Sequence, residues 1–370
     1  MFTDEESAKV EPYPASTLAR LQTTTQPIPY SSDWMDLKKR LEELLLATVD
    51  VGSLPVEDDF DGDRRNTDRA ILDKLSTGLD YPCYPQLPGS PSNPMNMGLQ
   101  FLIPLSKVEP KIQIRGQEAE LCSDEIKAPS EPIGVERAEY FLTYLRQHGL
   151  TSKVKGTKAC ITGPFTVASY LNRRNLMTCG ASKPVVVKAL AQILSRSCRR
   201  LSELGFDLIN IDEPFFSIML GRKVLFKYDA KFVIDTLDTI ISEASSLTAI
   251  HVCGTVTPLV REVLLKSKVD IIDHEFAGSP ANIHAYTKDD FERAGKFLAY
   301  GCVSSVKPQV ESVEEISSSI RSALNAFGHR IVVKPDCGFG GMLGIPGAYD
   351  LALKKLQNMV KATRVVAESD

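Results

Sequence analysis

Short apolar runs alternate with longer amphipathic segments from about residue 46 to the carboxyl terminus. Each run ends in Gly, Pro or a polar residue, and such runs are typical of strands that are buried on both faces. The pattern predicts strands over residues 44–52, 99–105, 158–164, 206–214, 247–254, 269–276, 296–303 and 330–338. Apolar residues at helical spacing predict helices between them, over residues 134–149, 184–205, 230–245, 257–268, 312–328 and 348–364.

Eight strand–helix units in the 325 residues from 46 to 370 indicate an α/β fold of the (β/α)8 type, the TIM barrel. An open, doubly wound sheet is the structural alternative, although no GxGxxG follows the first strand. We predict two regions: residues 1–45 as an N-terminal arm with a lead-in helix, and residues 46–370 as the barrel. The Pro- and Gly-rich stretch 78–130 is poorly periodic and predicts extended loops near the site.

The composition of the chain bears on its binding partners, its compartment and the state of its cysteines. Lys and Arg total 43 against 47 Asp and Glu, so the net charge is −4, which argues against nucleic acid or an anionic membrane as a partner. The amino terminus has neither the basic start nor the apolar stretch of a secretory signal, so we expect a cytoplasmic protein. Its eight cysteines form no CxxC pair, and reduced thiols are the expectation in that compartment.

Candidate metal ligands lie near the carboxyl ends of three predicted strands, the fifth, sixth and eighth. His251 and Cys253 share one face of their strand, Glu275 ends the next strand, and Cys337 follows the last. A His two residues before a Cys is by itself more often a packed core pair. Because barrel sites form at the carboxyl ends of strands, these four side chains are expected to converge, and their types favour zinc. Their wide separation along the chain favours a catalytic ion over a structural one.

Two further strand ends carry candidate substrate-binding groups. Asp212 and Glu213 follow an apolar strand, and the functional interpretation is that one acid binds an ammonium group while the other faces away. Gly52 and Ser53 offer backbone N–H groups and a hydroxyl suited to a small carboxylate, although an ordinary turn is the alternative. The Gly-rich segment 337–347 lacks GxxxxGK[ST] and is interpreted as a turn beside the metal.

Six short motifs together resemble one enzyme family. They are VGSLP (51–55), ITGPFT (161–166), INIDEP (209–214), HVC (251–253), HE (274–275) and KPDCG (334–338). They resemble the carboxyl-terminal catalytic half of cobalamin-independent methionine synthase, in the short single-barrel form of archaea and some anaerobic bacteria. The resemblance implies a barrel with one catalytic zinc ion held by His251, Cys253, Glu275 and Cys337. It also implies that Ser53 binds the carboxylate of L-homocysteine and Asp212 its amino group.

The sequence departs from the family pattern where the methyl donor binds. The Asp and His of the family's seventh strand end are Ser304 and Val306 here, and a Trp that contacts folate is matched by Tyr170. We therefore expect Tyr170 and Ser304 to contact the donor. The acid of the second strand has no clear counterpart, and Gln86 is the candidate for its substrate-binding role.

These departures suggest a particular donor. A methyl-folate leaves as a nitrogen anion that needs a proton, whereas cobalt(I) of a corrinoid needs none. The expectation is therefore a zinc-dependent homocysteine S-methyltransferase that uses methylcobalamin or another methyl-corrinoid, free or carried by a corrinoid protein. The alternatives are a methyl-folate donor and a different thiol acceptor such as coenzyme M. A metal-free relative of porphyrinogen decarboxylase and a zinc-binding scaffold without catalysis are more distant alternatives.

Overall fold

The computed structural model describes residues 46–369, apart from residues 91, 92, 128, 130, 222–224 and 227. Its strands are β1 (Gly89–Ser90), β2 (Asn93–Pro94), β3 (Ile112–Arg115), β4 (Glu118–Leu121), β5 (Lys158–Thr162), β6 (Leu208–Asp212), β7 (Leu247–Val252), β8 (Ile271–Glu275), β9 (Phe297–Val303) and β10 (Ile331–Pro335). The arm and lead-in helix predicted for residues 1–45 lie outside the described residues, so the predicted domain boundary stays a prediction.

From β5 onwards, each strand is followed by one or two α-helices. The α-helices span Arg65–Ser76, Leu99–Ser106, Glu136–Gln147, Pro164–Tyr170, Pro184–Leu204, Phe215–Met219, Ala230–Ile241, Pro258–Lys266, Lys288–Ala294, Val313–Phe327 and Ala348–Ala367. Short 3-10 helices span Thr151–Lys153, Leu176–Thr178, Gly180–Ser182, Pro280–His284 and Phe339–Met342. None of the helices in the described part of the chain combines the length and the apolar character that crossing a membrane requires.

Strands β5 to β10 form one parallel sheet in which each strand pairs with its neighbours along the chain. Two further segments, residues 48–53 and 81–86, close this sheet into a ring. The bridges that close it are Thr48 with Val333 of β10, Val49 with Tyr81, Ser53 with Gln86, and Cys83 with Lys158 of β5, all parallel. With these two segments the ring has eight members, and the predicted (β/α)8 barrel is confirmed.

The prediction of a strand over residues 99–105 is wrong, because this run forms the helix Leu99–Ser106. Its buried side chains recur at helical spacing: Leu99, Phe101, Leu102 and Leu105. The Asn96 side chain accepts hydrogen bonds from the backbone N–H groups of Gly98 and Leu99, which satisfies donors at the helix start.

The second member of the barrel is instead the segment 81–86, within the stretch predicted as loops. Pro82 and Pro85 lie in it, and because proline has no N–H it cannot donate to a strand ladder. The segment therefore joins its neighbours by single bridges, and its sequence carries no strand signal. The rest of the stretch 78–130 holds the helix Leu99–Ser106 and the hairpins β1–β2 and β3–β4.

The barrel interior changes character along its axis. The end near the start of the strands is apolar, and its buried side chains form one cluster: Ala47, Val49, Tyr81, Leu208, Leu247, Ala249, Ile271, Phe297, Ala299 and Val332. Towards the carboxyl ends of the strands the buried side chains become polar and charged: Asn210, Asp212, His251, Asp273 and Lys334. Buried charges must be paired, so this half of the barrel depends on specific ion pairs.

One such ion pair joins the first two barrel segments to the helix Arg65–Ser76. The Lys74 Nζ lies 2.8 Å from Asp50 Oδ2 and donates to the carbonyl oxygens of Gly52 and Cys83, at 2.8 and 2.9 Å. Both side chains of the pair are almost fully buried. Asp50 in turn accepts hydrogen bonds from the N–H groups of Gly52 and Cys83, so the pair shapes the turn that carries Ser53.

Replacing Lys74→Met is expected to destabilise the protein by about 3–5 kcal/mol, because it leaves the Asp50 carboxylate buried without its cation. Urea denaturation followed by circular dichroism measures the change. Lys231→Met removes an exposed lysine paired with Asp235 and serves as the control, with no measurable loss expected. Equal stability of the two variants would contradict the assigned role of the Lys74–Asp50 pair.

Candidate metal and substrate site

Three potential metal ligands meet at the carboxyl end of the barrel. His251 lies in β7, Cys253 directly follows β7, and Cys337 follows β10; their ligand atoms all lie within 4.8 Å of one another. The two Sγ atoms are 3.7 Å apart, and the His251 Nε2 lies 2.9 Å from the Cys253 Sγ. Two thiolates on one tetrahedral zinc, with Zn–S bonds of about 2.3 Å, are roughly 3.8 Å apart. The sulfur pair therefore has the spacing that a shared zinc ion requires.

A buried carboxylate contacts the ring nitrogen of His251 that does not face the cysteines. Its Nδ1 lies 2.6 Å from the Asp273 Oδ1, and the Lys334 Nζ lies 2.8 Å from the same oxygen. Burial would lower the pKa of His251, but the Asp273 carboxylate outweighs burial and raises it to about 10. Burial would likewise raise the pKa of Asp273, but Lys334 and His251 hold it below its usual range. This carboxylate–histidine contact is the arrangement that orients zinc-binding histidines in proteins.

The pKa values of the two cysteine thiols are shifted in opposite directions. The hydrogen bond from the Cys253 thiol lowers the pKa of Cys337 well below its usual range, against the opposing effect of burial, and His251 lowers it further. That hydrogen bond and burial together raise the pKa of Cys253. These shifts favour the thiolate form of Cys337, which is the form of cysteine that binds metals.

The fourth predicted ligand, Glu275, lies at the end of β8 but outside the group within 4.8 Å. Its Oε1 accepts a hydrogen bond from the Ser279 Oγ at 2.5 Å. The loop after it is fastened by the Asp336 carboxylate, which accepts N–H groups from residues 276–278 at 2.6–3.0 Å. The structure thus brings three of the four predicted ligands together, and ligation by Glu275 stays a prediction.

Asp212 and Glu213 point in different directions. Asp212 pairs in register with His251, and its Oδ1 accepts a hydrogen bond from the Asn210 Nδ2 at 2.5 Å. Burial raises the pKa of Asp212 to about 6, although His251 opposes the rise. Glu213 accepts N–H groups of residues 165 and 166 at 2.9 and 3.0 Å and so caps the helix Pro164–Tyr170. Asp212 is therefore the acid that lies beside the ligand cluster.

The turn of Gly52 and Ser53 meets the segment that follows Cys337. The Ser53 Oγ accepts a hydrogen bond from the Gly340 N–H at 3.0 Å. Gly52 has a φ of +123°, a conformation that favours glycine, and an added Cβ would lie 3.1 Å from the Gln86 Oε1. The structure therefore places Gly52, Ser53 and Gln86 side by side, next to the loop that carries one of the cysteines.

The predicted donor contacts have different surroundings. Tyr170 ends the helix Pro164–Tyr170, is partly buried, and has the Arg173 guanidinium 4.7 Å from its ring centroid. Ser304 is only 2% exposed, and its N–H donates to the Glu311 Oε1. Val306, in contrast, is 66% exposed. The Ser304 side chain is thus enclosed, and contact of either residue with a donor stays a prediction.

Buried charged groups support the ligands, above all Asp273 and Lys334, and neither was among the site residues predicted from the sequence. Both lie inside predicted strands, where a charged residue within an apolar run marks a paired charge in the interior. Asp273 also precedes Glu275 by two positions and therefore faces the same side of the strand. These two signals together could have identified the pair.

The sequence matches the family model described as cobalamin-independent synthase, catalytic domain, over residues 123–365. Methionine synthase of Methanothermobacter thermautotrophicus is 32% identical over 239 residues, which cover 64% of this chain and 72% of that protein. Methionine synthase of Methanocaldococcus jannaschii is also 32% identical, over 246 residues and the same shares of the two chains. These matches confirm the family resemblance seen in the motifs.

The fold is similar to that of solved structures. A B12-independent methionine synthase from Shewanella sp. W3-18-1, in complex with selenomethionine, aligns with a TM-score of 0.62 at 17% identity, covering 88% of this chain and 99% of that one. A protein described as a putative B12-independent methionine synthase from Listeria monocytogenes aligns with a TM-score of 0.57 at 13% identity, covering 87% and 99%. At these identities the likeness supports the barrel fold alone.

The family match corrects one expectation. A methylated corrinoid, either methylcobalamin or a corrinoid protein, was expected as the methyl donor because Ser304 and Val306 replace an acid and a histidine. This expectation is wrong, because the matching family is one of cobalamin-independent synthases. The physical reason is that the replaced position does not by itself determine the donor: Ser304 is enclosed, and its backbone is tied to Glu311.

The ligand geometry predicts one zinc ion per chain, measured by elemental analysis after dialysis against a weak chelator. His251→Ala, Cys253→Ser and Cys337→Ser are each expected to weaken zinc binding strongly. Replacing a residue that only supports a ligand costs about 10–100-fold in metal affinity, and loss of a ligand itself is expected to cost more. Glu275→Gln tests the fourth predicted ligand by the same measurement.

Cys160→Ser is the matched control for the cysteine variants. The Cys160 Sγ lies 3.5 Å from that of Cys83 and is buried, but this pair is not part of the ligand cluster. Unchanged zinc content is expected for this variant. If Cys253→Ser and Cys337→Ser both bound zinc as well as the wild-type protein does, the assigned metal centre would be ruled out.

Proposed function

The chain belongs to the cobalamin-independent synthase family, and on that premise we propose that it is a zinc-dependent methyltransferase that converts L-homocysteine to methionine with a methyl-folate donor. The observation that carries the proposal is the meeting of three different recognition elements at one end of the barrel. A sulfur- and nitrogen-rich ligand set lies beside a buried acid and a Gly–Ser turn. A small molecule with a thiol, an ammonium and a carboxylate group matches these three elements.

The thiol would be activated at the ligand cluster. His251, Cys253 and Cys337 would hold a zinc ion, with Glu275 as the predicted fourth ligand. When bound, zinc lowers the pKa of a coordinated thiol, so the attacking sulfur is a thiolate near neutral pH. The protein's own thiolates and the Glu275 carboxylate would add negative charge to the site, which keeps an incoming sulfur electron-rich and therefore nucleophilic.

The other end of homocysteine would be held by the chain itself. Asp212, beside His251, would accept hydrogen bonds from the ammonium group. The Ser53 hydroxyl and the Gly52 turn would bind the carboxylate, with Gln86 beside them. Because Ser53 contacts the loop after Cys337, the carboxylate site and the sulfur site are linked directly through the backbone. Holding both ends of the molecule orients its sulfur for attack, which is the main source of rate in such a displacement.

The methyl transfer is a displacement at carbon. The substrate sulfur forms a bond to the methyl carbon while the bond from that carbon to the folate nitrogen breaks. The leaving nitrogen gains a proton, and the proton lost from the homocysteine thiol balances it. Ser304 and Val306 supply no acid, so this proton would have to come from the solvent. Tyr170, whose ring has the Arg173 guanidinium 4.7 Å from its centroid, is the aromatic residue that we assign to contact with the donor.

The proposed reaction is tested by methionine formation on protein of known zinc content, with methyl-folate carrying one or several glutamates as donor. Turnover is expected with homocysteine and methyl-folate and is expected to be lost in Cys337→Ser. Methylcobalamin is run in parallel, and turnover with methylcobalamin alone would refute the methyl-folate assignment. Coenzyme M is run as a competing acceptor; its preference over homocysteine would refute the assigned acceptor.

Asp212→Asn is expected to lower kcat/KM for homocysteine by roughly 10- to 150-fold, because a charge-assisted hydrogen bond contributes about 1.5–3 kcal/mol. Steady-state kinetics with varied homocysteine measures it. The matched control is 2-mercaptoethanol, a thiol without an ammonium group, whose slow methylation is expected to be the same in both proteins. An equal loss with both thiols would show that Asp212 does not recognise the ammonium group.

A further inference from the structure

We propose that Lys334 and Asp273 act together as a positioning pair that couples two metal ligands, His251 and Cys337, to each other. The inference rests on the zinc site of the proposed function and adds to it residues outside the predicted ligand set. The observation behind it is that the buried Lys334 ammonium group contacts both the Asp273 carboxylate, which contacts His251, and the backbone directly before Cys337.

The first arm of the pair leads to His251. The Asp273 Oδ1 lies 2.6 Å from the His251 Nδ1 and 2.8 Å from the Lys334 Nζ, so one oxygen serves both partners. A hydrogen bond at Nδ1 leaves Nε2 as the nitrogen that faces the cysteines, and it fixes the plane of the ring. The other oxygen of Asp273 has no hydrogen-bond partner in the described structure. The carboxylate is therefore held by His251 and Lys334 alone.

The second arm leads to Cys337. The Lys334 Nζ donates to the carbonyl oxygens of Pro335 and Asp336, at 2.8 and 2.7 Å. These are the two residues directly before Cys337, so the ammonium group fixes the conformation of the backbone that positions the Cys337 sulfur. A shift of Lys334 would therefore move the Cys337 loop and the Asp273 carboxylate together.

Burial makes the coupling strong. Lys334 and Asp273 are at most 1% exposed, and each is the main charge that compensates the other. Without Lys334, Asp273 would be a buried anion beside a ligand set whose two cysteines already carry negative charge when zinc is bound. Without Asp273, Lys334 would be a buried cation next to the metal. Removing either member is thus expected to disturb both the position of the ligands and the charge of the site.

A purely structural ion pair is the alternative, and the chain contains a matched example. Lys74 pairs with Asp50 in the same way: it is buried, and it donates to two backbone carbonyl oxygens. It differs in that neither member contacts His251, Cys253 or Cys337. Lys74→Met therefore reproduces the cost of breaking a buried pair while the contacts of Asp273 with His251 and of Lys334 with the backbone before Cys337 stay in place; it reaches the Cys337 loop only through the Gly52–Ser53 turn.

The experiment measures zinc affinity by competition with a chromophoric chelator in wild-type, Lys334→Met, Asp273→Asn and Lys74→Met proteins. Lys334→Met and Asp273→Asn are expected to bind zinc about 10–100-fold more weakly than wild-type protein. Lys74→Met is expected to lose clearly less affinity than either of them, because it acts on the Cys337 loop only through the Gly52–Ser53 turn. Asp273→Asn keeps the size and shape of the side chain, so it provides the folded variant if Lys334→Met proves unstable.

A spectroscopic measurement separates positioning from simple loosening. In cobalt(II)-substituted protein, the thiolate-to-cobalt absorption is expected to shift in Asp273→Asn and to stay unchanged in Lys74→Met. Wild-type zinc affinity in Asp273→Asn, or equal loss of affinity in Lys74→Met, would overturn the coupling. Wild-type protein that binds no zinc would instead overturn the proposed function itself, so the two failures are distinguishable.

Discussion

The ion pair of Lys334 and Asp273 is the interaction on which the polar half of the barrel depends. A (β/α)8 barrel is normally filled by apolar side chains, and here the apolar filling occupies only the end where the strands begin. Towards the other end the strands place His251, Asp212 and Lys334 in a buried space. These groups are tolerable there only because each charge has a partner, and Asp273 lies at the centre of the arrangement.

This constraint explains how distant parts of the chain form one small site. The ligand His251 is oriented by β8 through Asp273, Cys337 is placed by Lys334 of β10, and the Gly52–Ser53 turn rests on the loop after Cys337. The first contact joins the neighbouring strands β7 and β8, the last joins the first segment of the ring to the loop after β10, and the Lys334–Asp273 pair links β10 to β8, so the site depends on closure of the barrel. A substrate with three polar groups can then be held by elements that are far apart in sequence.

Much of this was predictable from the pattern of apolar residues, and the failures have identifiable causes. From β5 onwards the predicted strands enclose the observed ones, because each run is buried on both faces. The second barrel member was missed because Pro82 and Pro85 remove the strand signal, while the run 99–105 is apolar at helical spacing. Strand-end geometry brought together His251, Cys253 and Cys337, since period-2 alternation and barrel symmetry suffice to place them. The carboxylate position of Glu275 depends on a loop that Asp336 shapes, and strand periodicity does not describe such contacts.

The methyl donor cannot be inferred from the residue at position 304 alone. A missing acid argues against a leaving group that needs a proton only if the side chain at that position faces the donor. Ser304 is enclosed, and its hydroxyl oxygen faces the N–H groups of Val306 and Lys307, at 3.5 and 3.3 Å. Its local role is to shape the loop, and Val306 leaves an apolar surface exposed at the mouth. A proton can reach a departing nitrogen through water, whereas the sulfur needs a fixed site at the ligand cluster. The acceptor chemistry is therefore encoded by rigid strand ends, and the donor chemistry by the loops above them.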